Sequence, residues 1–337
     1  MKVLITGGAG FIGSNFIHYW LEKYPDDYIV NLDVLTYAGN LNNLKSIEDN
    51  PRYSFVQADI TDQQAVDNAM QGVELVVHFA AESHVDRSIM DPAIFTRTNV
   101  LGTQILCESA LKNNVKHFHY VNTDEVYGSL PNHKSIKFTE QTKFHTRSPY
   151  SASKAGGEHI VNAYHVTFGL NTTITSCANN FGPYHHPEKM IPLFIINLLD
   201  DKKVPIYGDG QQIRDWLYVK DHCRAIDLVI KQGTIGEVYL VGAQLEHEIT
   251  NLELTQKLLN LLDKDESYIE YVPDRPGHDT RYAIDWSKIA QLGWKPEFDF
   301  DIWLEKTVQW YKDNQDWWQP IVDGDYKDYY QKNYTKR

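Results

Sequence analysis

The sequence predicts an α/β protein: a doubly wound parallel sheet with a smaller α+β lobe after it. Three observations lead there. Short apolar, β-branched runs alternate with helical stretches through the first half of the chain. The first run leads straight into a glycine-rich loop and a helix. After about residue 180 the alternation gives way to helical runs separated by Pro- and Gly-punctuated loops.

Taken in order, "KVLIT" (2–6) predicts the first strand and "FIGSNFIHYWLEKY" after it the first helix. "YIVNLD" (28–33) and "YSFVQAD" (53–59) predict the second and third strands. "DQQAVDNAM" (62–70) reads as a helix and "VELVVHFA" (73–80) as the fourth strand. Helical periodicity runs across 92–114, followed by a fifth strand at 117–122, a long helix at 148–168 and a sixth strand at 171–178. The strands are continuously apolar, as expected where helices cover both faces. Beyond them, "LFIINLLDD" and "TNLELTQKLLNLLD" predict helices of a second lobe whose loops close over a crevice. The expected division is a nucleotide-binding domain at 1–180, to which later segments can return, a second lobe at 181–320, and a polar, Tyr-rich tail at 321–337.

A chain of 337 residues is long enough for one large or two ordinary domains. Its formal net charge of −13 argues against a nucleic-acid surface, while leaving room for an anion held by local Arg and Lys. Cys107, Cys177 and Cys223 are too few and too scattered for a disulfide framework or a zinc site. No apolar run approaches the roughly 18 residues of a membrane helix, and "MKVLITGGAG" does not read as a signal peptide. A soluble cytoplasmic protein is expected.

"ITGGAGFIGSN" carries the first chemistry. Gly8, Gly10 and Gly13 fit G-x-G-x-x-G, and Gly7, Gly10 and Gly13 fit the wider spacing G-x-x-G-x-x-G. Such glycines let the backbone approach a pyrophosphate at a helix N-terminus. Asp33 follows 20 residues after Gly13, at the end of the second strand. A carboxylate there accepts hydrogen bonds from a ribose diol and repels a 2′-phosphate, and "VLTYAG" supplies no Arg to neutralise one. The expectation is a Rossmann-type domain holding NAD rather than NADP, with Asp59 and Ile60 flanking the adenine.

Tyr150 and Lys154 stand four residues apart on one predicted helix and so share a face. An ammonium beside a phenol favours tyrosinate and makes Tyr150 a usable base. "VNTDEVYG" (121–128) sets Asp124 beside Glu125 at the end of the fifth strand, where like charges repel. Successive strand side chains point to opposite faces, so both acids reach one substrate only if the chain turns near residue 124. His84, His185, His186 and His278 lack metal-ligand spacing, and no metal is expected.

The glycine loop and "YSASK" resemble the extended short-chain dehydrogenase/reductase family. Within it, "LTYAGN", "AAESHVDRS", "TDEVYG", "NNFGPYHHPEKMIP", "PIYGDGQQIRDW" and "DRPGHD" are similar, in order, to the dTDP-glucose 4,6-dehydratases. The likeness spans roughly residues 1–320. It implies a hydro-lyase that oxidises C4 of dTDP-glucose with NAD, removes water across C5 and C6, and reduces C6 with the same hydride, supplying deoxysugars such as rhamnose. Tyr150, assisted by Lys154, takes the proton of the 4-hydroxyl, and Thr123 bonds the same oxygen. Glu125 removes the C5 proton and Asp124 protonates the departing C6 hydroxyl.

The same resemblance implies further contacts. Around NAD it adds Phe11, Ile12, Thr36, Gly39, Phe79, Ala80, Ala81, Ser83, Thr98 and Asn180 to Gly7, Gly10, Gly13, Asp33, Asp59, Ile60, Tyr150 and Lys154. Around the sugar nucleotide it places Ser83, Thr123, Asn179, Lys189, Met190, Pro205, Ile206, Tyr207, Arg214, Asn251, Arg275 and His278. Arg214 and Arg275 suit the diphosphate because a guanidinium fork matches phosphate oxygens. A homodimer through a four-helix bundle of the helices at 92–114 and 148–168 is also implied. Two features depart from the family pattern: Asn122 replaces its Ser, and "VGAQLEHEITNLE" is a longer loop around Asn251. Other NAD-dependent sugar-nucleotide enzymes remain open at this point: a 4-epimerase, a decarboxylase, or a dehydratase of UDP- or CDP-glucose. A non-catalytic NAD-binding protein on the same fold also remains open.

Overall fold

The computed structural model describes residues 1–131, 135–243 and 248–324. Its central sheet has seven strands: β1 (Lys2–Thr6), β2 (Tyr28–Asp33), β3 (Tyr53–Gln57), β4 (Leu75–His78), β5 (His117–Thr123), β6 (Thr172–Cys177) and the strand Val238–Val241. Across the sheet they run β3-β2-β1-β4-β5-β6 and then Val238–Val241. Every pairing in it is parallel. The order reverses between β1 and β4, and such a switch point opens a crevice beyond the carboxyl ends of the strands.

Alternation along the strands builds two cores. Leu4 of β1 and Val76 of β4 face one side, with Val66, Leu106, Cys107 and Val161 from three covering helices. Val3, Ile5, Leu75 and Val77 face the other, against Phe16, Ile17 and Trp20 of the helix Phe11–Lys23 and Cys223 and Ile226 of the helix Val219–Gln232. Apolar burial on both faces fixes the register, since a slip of one residue would exchange the two cores.

The seventh strand comes from within 181–320, so the first domain draws its last strand and the helix before it from the second half of the chain. The rest of that half forms a separate core from the helices Met190–Leu199, Asn251–Leu261, Phe300–Asp313 and Gln315–Asp323. Three two-stranded sheets accompany it: 179–181 with 216–218, 204–207 with 269–272, and 213–214 with 249–250. This is an α+β lobe. The tail at 321–337 begins inside the helix Gln315–Asp323, and residues 325–337 lie outside the described residues.

Three elements differ from expectation. β3 and β4 end early, at Gln57 and His78, which frees the following residues to leave the sheet at its carboxyl edge. The helical run at 92–114 is three pieces: Pro92–Thr96, a π-helical segment Arg97–Gly102, and Thr103–Lys112. In the wide segment the Asn99 amide donates to Glu82 O at 2.9 Å and to Ser153 Oγ at 2.8 Å. Thr103 donates its hydroxyl to Asn99 O at 2.7 Å. Side chains that bond helix carbonyls compete with the regular ladder, and a periodicity of apolar residues does not record that competition.

Candidate active site

A cavity of about 450 Å³ lies at the switch point, between the sheet and the second lobe. Its first half is built on the glycine loop. Gly7 has φ +71°, and a Cβ there would lie 2.5 Å from Ala80 N. A Cβ on Gly13 would lie 2.3 Å from Gly7 O. The helix Phe11–Lys23 starts at Gly10 with no side-chain cap and no acid in its first turn. Its N-terminal amides are therefore presented to an anion. Asp33 accepts from Ala9 N–H and from Leu35 N–H, each at 2.9 Å, which fixes the carboxylate at the end of β2. Burial raises its pKa while those two bonds pull it back. The residues present fit NAD: the glycine loop would take the pyrophosphate and Asp33 the adenosine ribose, with Asp59 and Ile60 positioned for the adenine. Phe11, Ile12, Thr36, Gly39, Phe79, Ala80, Ala81, Ser83, Thr98 and Asn180 line the same cavity.

Tyr150 and Lys154 close the inner end of this half. The helix Pro149–Phe168 that carries them is sharply delimited. Ser148 caps it through Ser151, Pro149 occupies its first turn, and Gly169 ends it at φ +76°. Lys154 Nζ donates to Val121 O at 2.8 Å and lies 4.3 Å from the Tyr120 ring centroid. Burial pushes the lysine down to about 7. It pushes the Tyr150 phenol well above its ordinary value, and a hydrogen bond with Thr123 pulls it back.

The chain does turn at residue 124: β5 ends at Thr123 and Asp124–Tyr127 form a single 3-10 turn. The turn separates the two acids. Glu125 lines the cavity with Thr123, Tyr150 and Lys154. Asp124 is the one predicted site residue that does not line it. It is 1% exposed, and its Oδ2 finds no hydrogen-bond partner among the described residues. Burial and the charges of Glu125 and Asp215 hold the Asp124 carboxyl well above the usual range. Burial raises Glu125 as well, but Arg275, Lys189 and Arg214 pull it back. Both carboxyls are therefore raised, Asp124 the more strongly, because only Glu125 faces cations that oppose the effect of burial on this scale.

The second lobe supplies the outer half. Asn179, Lys189, Met190, Pro205, Ile206, Tyr207, Arg214, Asn251, Arg275 and His278 all line it. Lys189 Nζ donates to Ser83 O at 2.9 Å, tying the lobe to the first domain. Arg214 donates to Ile213 O at 2.8 Å and Asp279 O at 2.9 Å, with its guanidinium 4.3 Å from the Tyr282 ring centroid. The longer loop before Asn251 includes residues 244–247, which lie outside the described residues. Among the described residues, no cluster of His, Cys, Asp or Glu is arranged to hold a metal ion.

Residues 4–307 match the family model described as GDP-mannose 4,6 dehydratase. A dTDP-glucose 4,6-dehydratase of Escherichia coli is 47% identical over 356 residues, covering 97% of this chain and 98% of that protein. A dTDP-glucose 4,6-dehydratase from Streptomyces venezuelae, crystallised with NAD and TYD, superposes with a TM-score of 0.92 at 49% identity. That match covers 95% of this chain and 100% of the other. The chain belongs to the dTDP-glucose 4,6-dehydratase family. A UDP-glucose 4-epimerase from Thermotoga maritima shares the fold at TM-score 0.85 and 29% identity, covering 94% of this chain and 100% of that one.

Against this family's sequence pattern, the structure adds a cluster that motif reading missed. Glu188 is 2% exposed and accepts from Arg87 Nε at 2.8 Å. His84, His186, Lys189 and Arg87 hold its carboxyl down at about 2 against the cost of burial. Asp86 accepts from Tyr207 Oη at 3.0 Å, joining the two lobes. Glu188, His84, His186 and Asp86 all line the cavity. The available signal was the acid in "HHPEKM", wedged between two histidines and a lysine in a loop.

Proposed function

We propose that this dehydratase-family chain converts dTDP-glucose to dTDP-4-keto-6-deoxyglucose and releases water. The carrying observation is the unequal pair Asp124 and Glu125 beside Tyr150 and Thr123. NAD, when bound, accepts the C4 hydride and returns it to C6. Tyr150 takes the proton of the 4-hydroxyl, with Thr123 bonded to the same oxygen and Lys154 behind supplying positive charge. The 4-ketone makes the C5 proton acidic. Glu125 removes it and gives it back to C5 when hydride reaches C6, while Arg275, Lys189 and Arg214 oppose the burial that raises its pKa. Asp124 delivers its proton to the C6 oxygen that leaves as water. Because Asp124 lies behind the cavity wall, this role needs a small rearrangement of the Asp124–Tyr127 turn when the sugar is bound. Arg214, Arg275 and Lys189 neutralise the diphosphate, and Tyr207 packs at the base.

A 4-epimerase has no use for the acid pair, which favours dehydration over the reaction of the more distant structural neighbour. Ile94, Leu101, Val166 and Phe168 are exposed apolar residues on the helices at 92–112 and 149–168, and support a homodimer formed through a four-helix bundle. Among the described residues no helix is long and apolar enough to cross a membrane, in keeping with action in the cytoplasm. Incubation with dTDP-glucose and NAD, followed by mass spectrometry, tests the reading. Loss of one water without net accumulation of reduced nicotinamide is expected. Inversion at C4 with no loss of water would overturn it.

A further inference from the structure

Glu158 lies one turn beyond Lys154 on the helix Pro149–Phe168, on the face that packs against β5. Both are buried, Lys154 at 4% and Glu158 at 3% exposure. The packing between them and β5 is close: a Cβ on Gly157 would fall 2.4 Å from Tyr120 Oη and 2.7 Å from Asn99 O. Lys154 is anchored to the carbonyl of Val121. On the next residue of the same strand, the Asn122 amide donates to the Glu158 carboxylate. Strand and helix therefore hold the Lys154 amine and the Glu158 carboxyl one turn apart, each on its own anchor. A carboxylate so deeply buried is costly unless it is paired.

We propose that Glu158, held by Asn122, is a positioning residue that keeps Lys154 an ammonium ion behind Tyr150. This rests on the reading of Tyr150 and Lys154 as the base. The other titratable groups facing the pair are His78 on β4, Tyr120 on β5, Tyr127 in the turn after β5 and Cys177 on β6. Burial drives all four toward their neutral forms. Glu158 is then the carboxylate set against Lys154. Burial pushes Lys154 down and Glu158 up, both to about 7; Cys177 and then Glu158 pull the lysine back, and the Asn122 hydrogen bond and then Lys154 pull the glutamate back. The departure from the family pattern at Asn122 gains a purpose here, because its amide reaches the carboxylate.

Glu158→Gln keeps the shape and can still accept from Asn122, so it removes the charge alone. The measurement is the pH dependence of reduced-nicotinamide formation from dTDP-glucose in a single turnover, with melting temperature followed in parallel. The alkaline limb, where Lys154 gives up its proton, should move down by about one pH unit. Glu158→Asp, which retains the charge, should restore most of it. A folded Glu158→Gln protein with the wild-type limb overturns the proposal. So does a variant pair that lowers melting temperature while leaving both limbs in place. If Glu158→Gln does not fold, Asn122→Ser carries the test. Losing the amide that favours the carboxylate should move the limb the same way by less, and an unmoved limb overturns the proposal. Tyr150→Phe separates the two readings. If it still forms reduced nicotinamide, the assignment of the base fails. If it is silent while the limb of Glu158→Gln is unmoved, only the role of Glu158 fails.

Discussion

Asp124 and Glu125 are adjacent in the chain but not in their surroundings. Glu125 faces the cavity and the charges of Arg275, Lys189 and Arg214, while Asp124 is buried behind it within reach of the charge on Asp215. If the pair divides acid from base, Glu125→Gln and Asp124→Asn should cost dehydration about 10²–10⁴-fold and spare C4 oxidation. Reduced nicotinamide and the 4-keto sugar should then build up in rapid-mixing absorbance and in the quenched sugar's mass. Exchange of the C5 proton with deuterated solvent should slow in Glu125→Gln. Dehydration at the native rate in either variant would show that the roles are misassigned.

Tyr150→Phe should stop the reaction one step earlier. The phenol shares a hydrogen bond with Thr123, the other group assigned to the 4-hydroxyl, so no reduced nicotinamide should form even in a single turnover. Binding of the nucleotide product, measured by calorimetry, should be nearly unchanged, because Arg214 and Arg275, the proposed diphosphate contacts, lie in the other lobe. A loss of binding as large as the loss of oxidation would assign Tyr150 a binding role instead.

Asp33 should govern the choice of dinucleotide. Its two oxygens are fixed by Ala9 and Leu35 and so cannot swing away from a 2′-phosphate. Asp33→Asn should narrow the preference for NAD over NADP by roughly ten- to a hundredfold, one decade per 1.4 kcal/mol of relieved repulsion. Fluorescence titration with the two dinucleotides measures it, and an unchanged ratio would refute the assignment.

Asp215 predicts a dependence of stability on pH. Burial pushes it up to about 7, while its Oδ1 accepts from Ala243 N–H at 3.0 Å. A carboxyl raised in the folded state adds stability that is whole below its unfolded pKa near 4 and is lost as pH climbs through about 7. Asn at this position keeps the acceptor and removes the titration. The melting temperature of Asp215→Asn minus that of the wild type should therefore increase from pH 4 to pH 7, at roughly 2–4 °C per kcal/mol. A difference independent of pH would rule this out.

Much of the fold and site was legible in the sequence because both rest on local patterns. Apolar strand runs, a glycine loop between strand and helix, and Tyr150 one turn from Lys154 each occupy a single short stretch. What escaped has no local pattern. Arg87 and Glu188 are 101 residues apart and meet only after the lobes close. Glu158 reads as an ordinary helical acid until β5 brings Asn122 against it. Asp124 and Glu125 were visible as a pair, but their unequal environments depend on the turn at Asp124–Tyr127 and on Asp215, which lies far along the chain.

The strand Val238–Val241 gives the ribosome a long wait. It pairs with β6 along Ile174 to Cys177, so the open edge of β6 has no partner in this sheet until residue 241 has left the exit tunnel. A nascent chain with only its first six strands presents a free edge ready to pair with another chain. Fragments ending near residue 180 would carry every glycine of the cofactor loop and the Tyr–Lys pair, yet would expose that edge and the surface normally covered by the helix Val219–Gln232. Such fragments should precipitate where the full chain stays in solution.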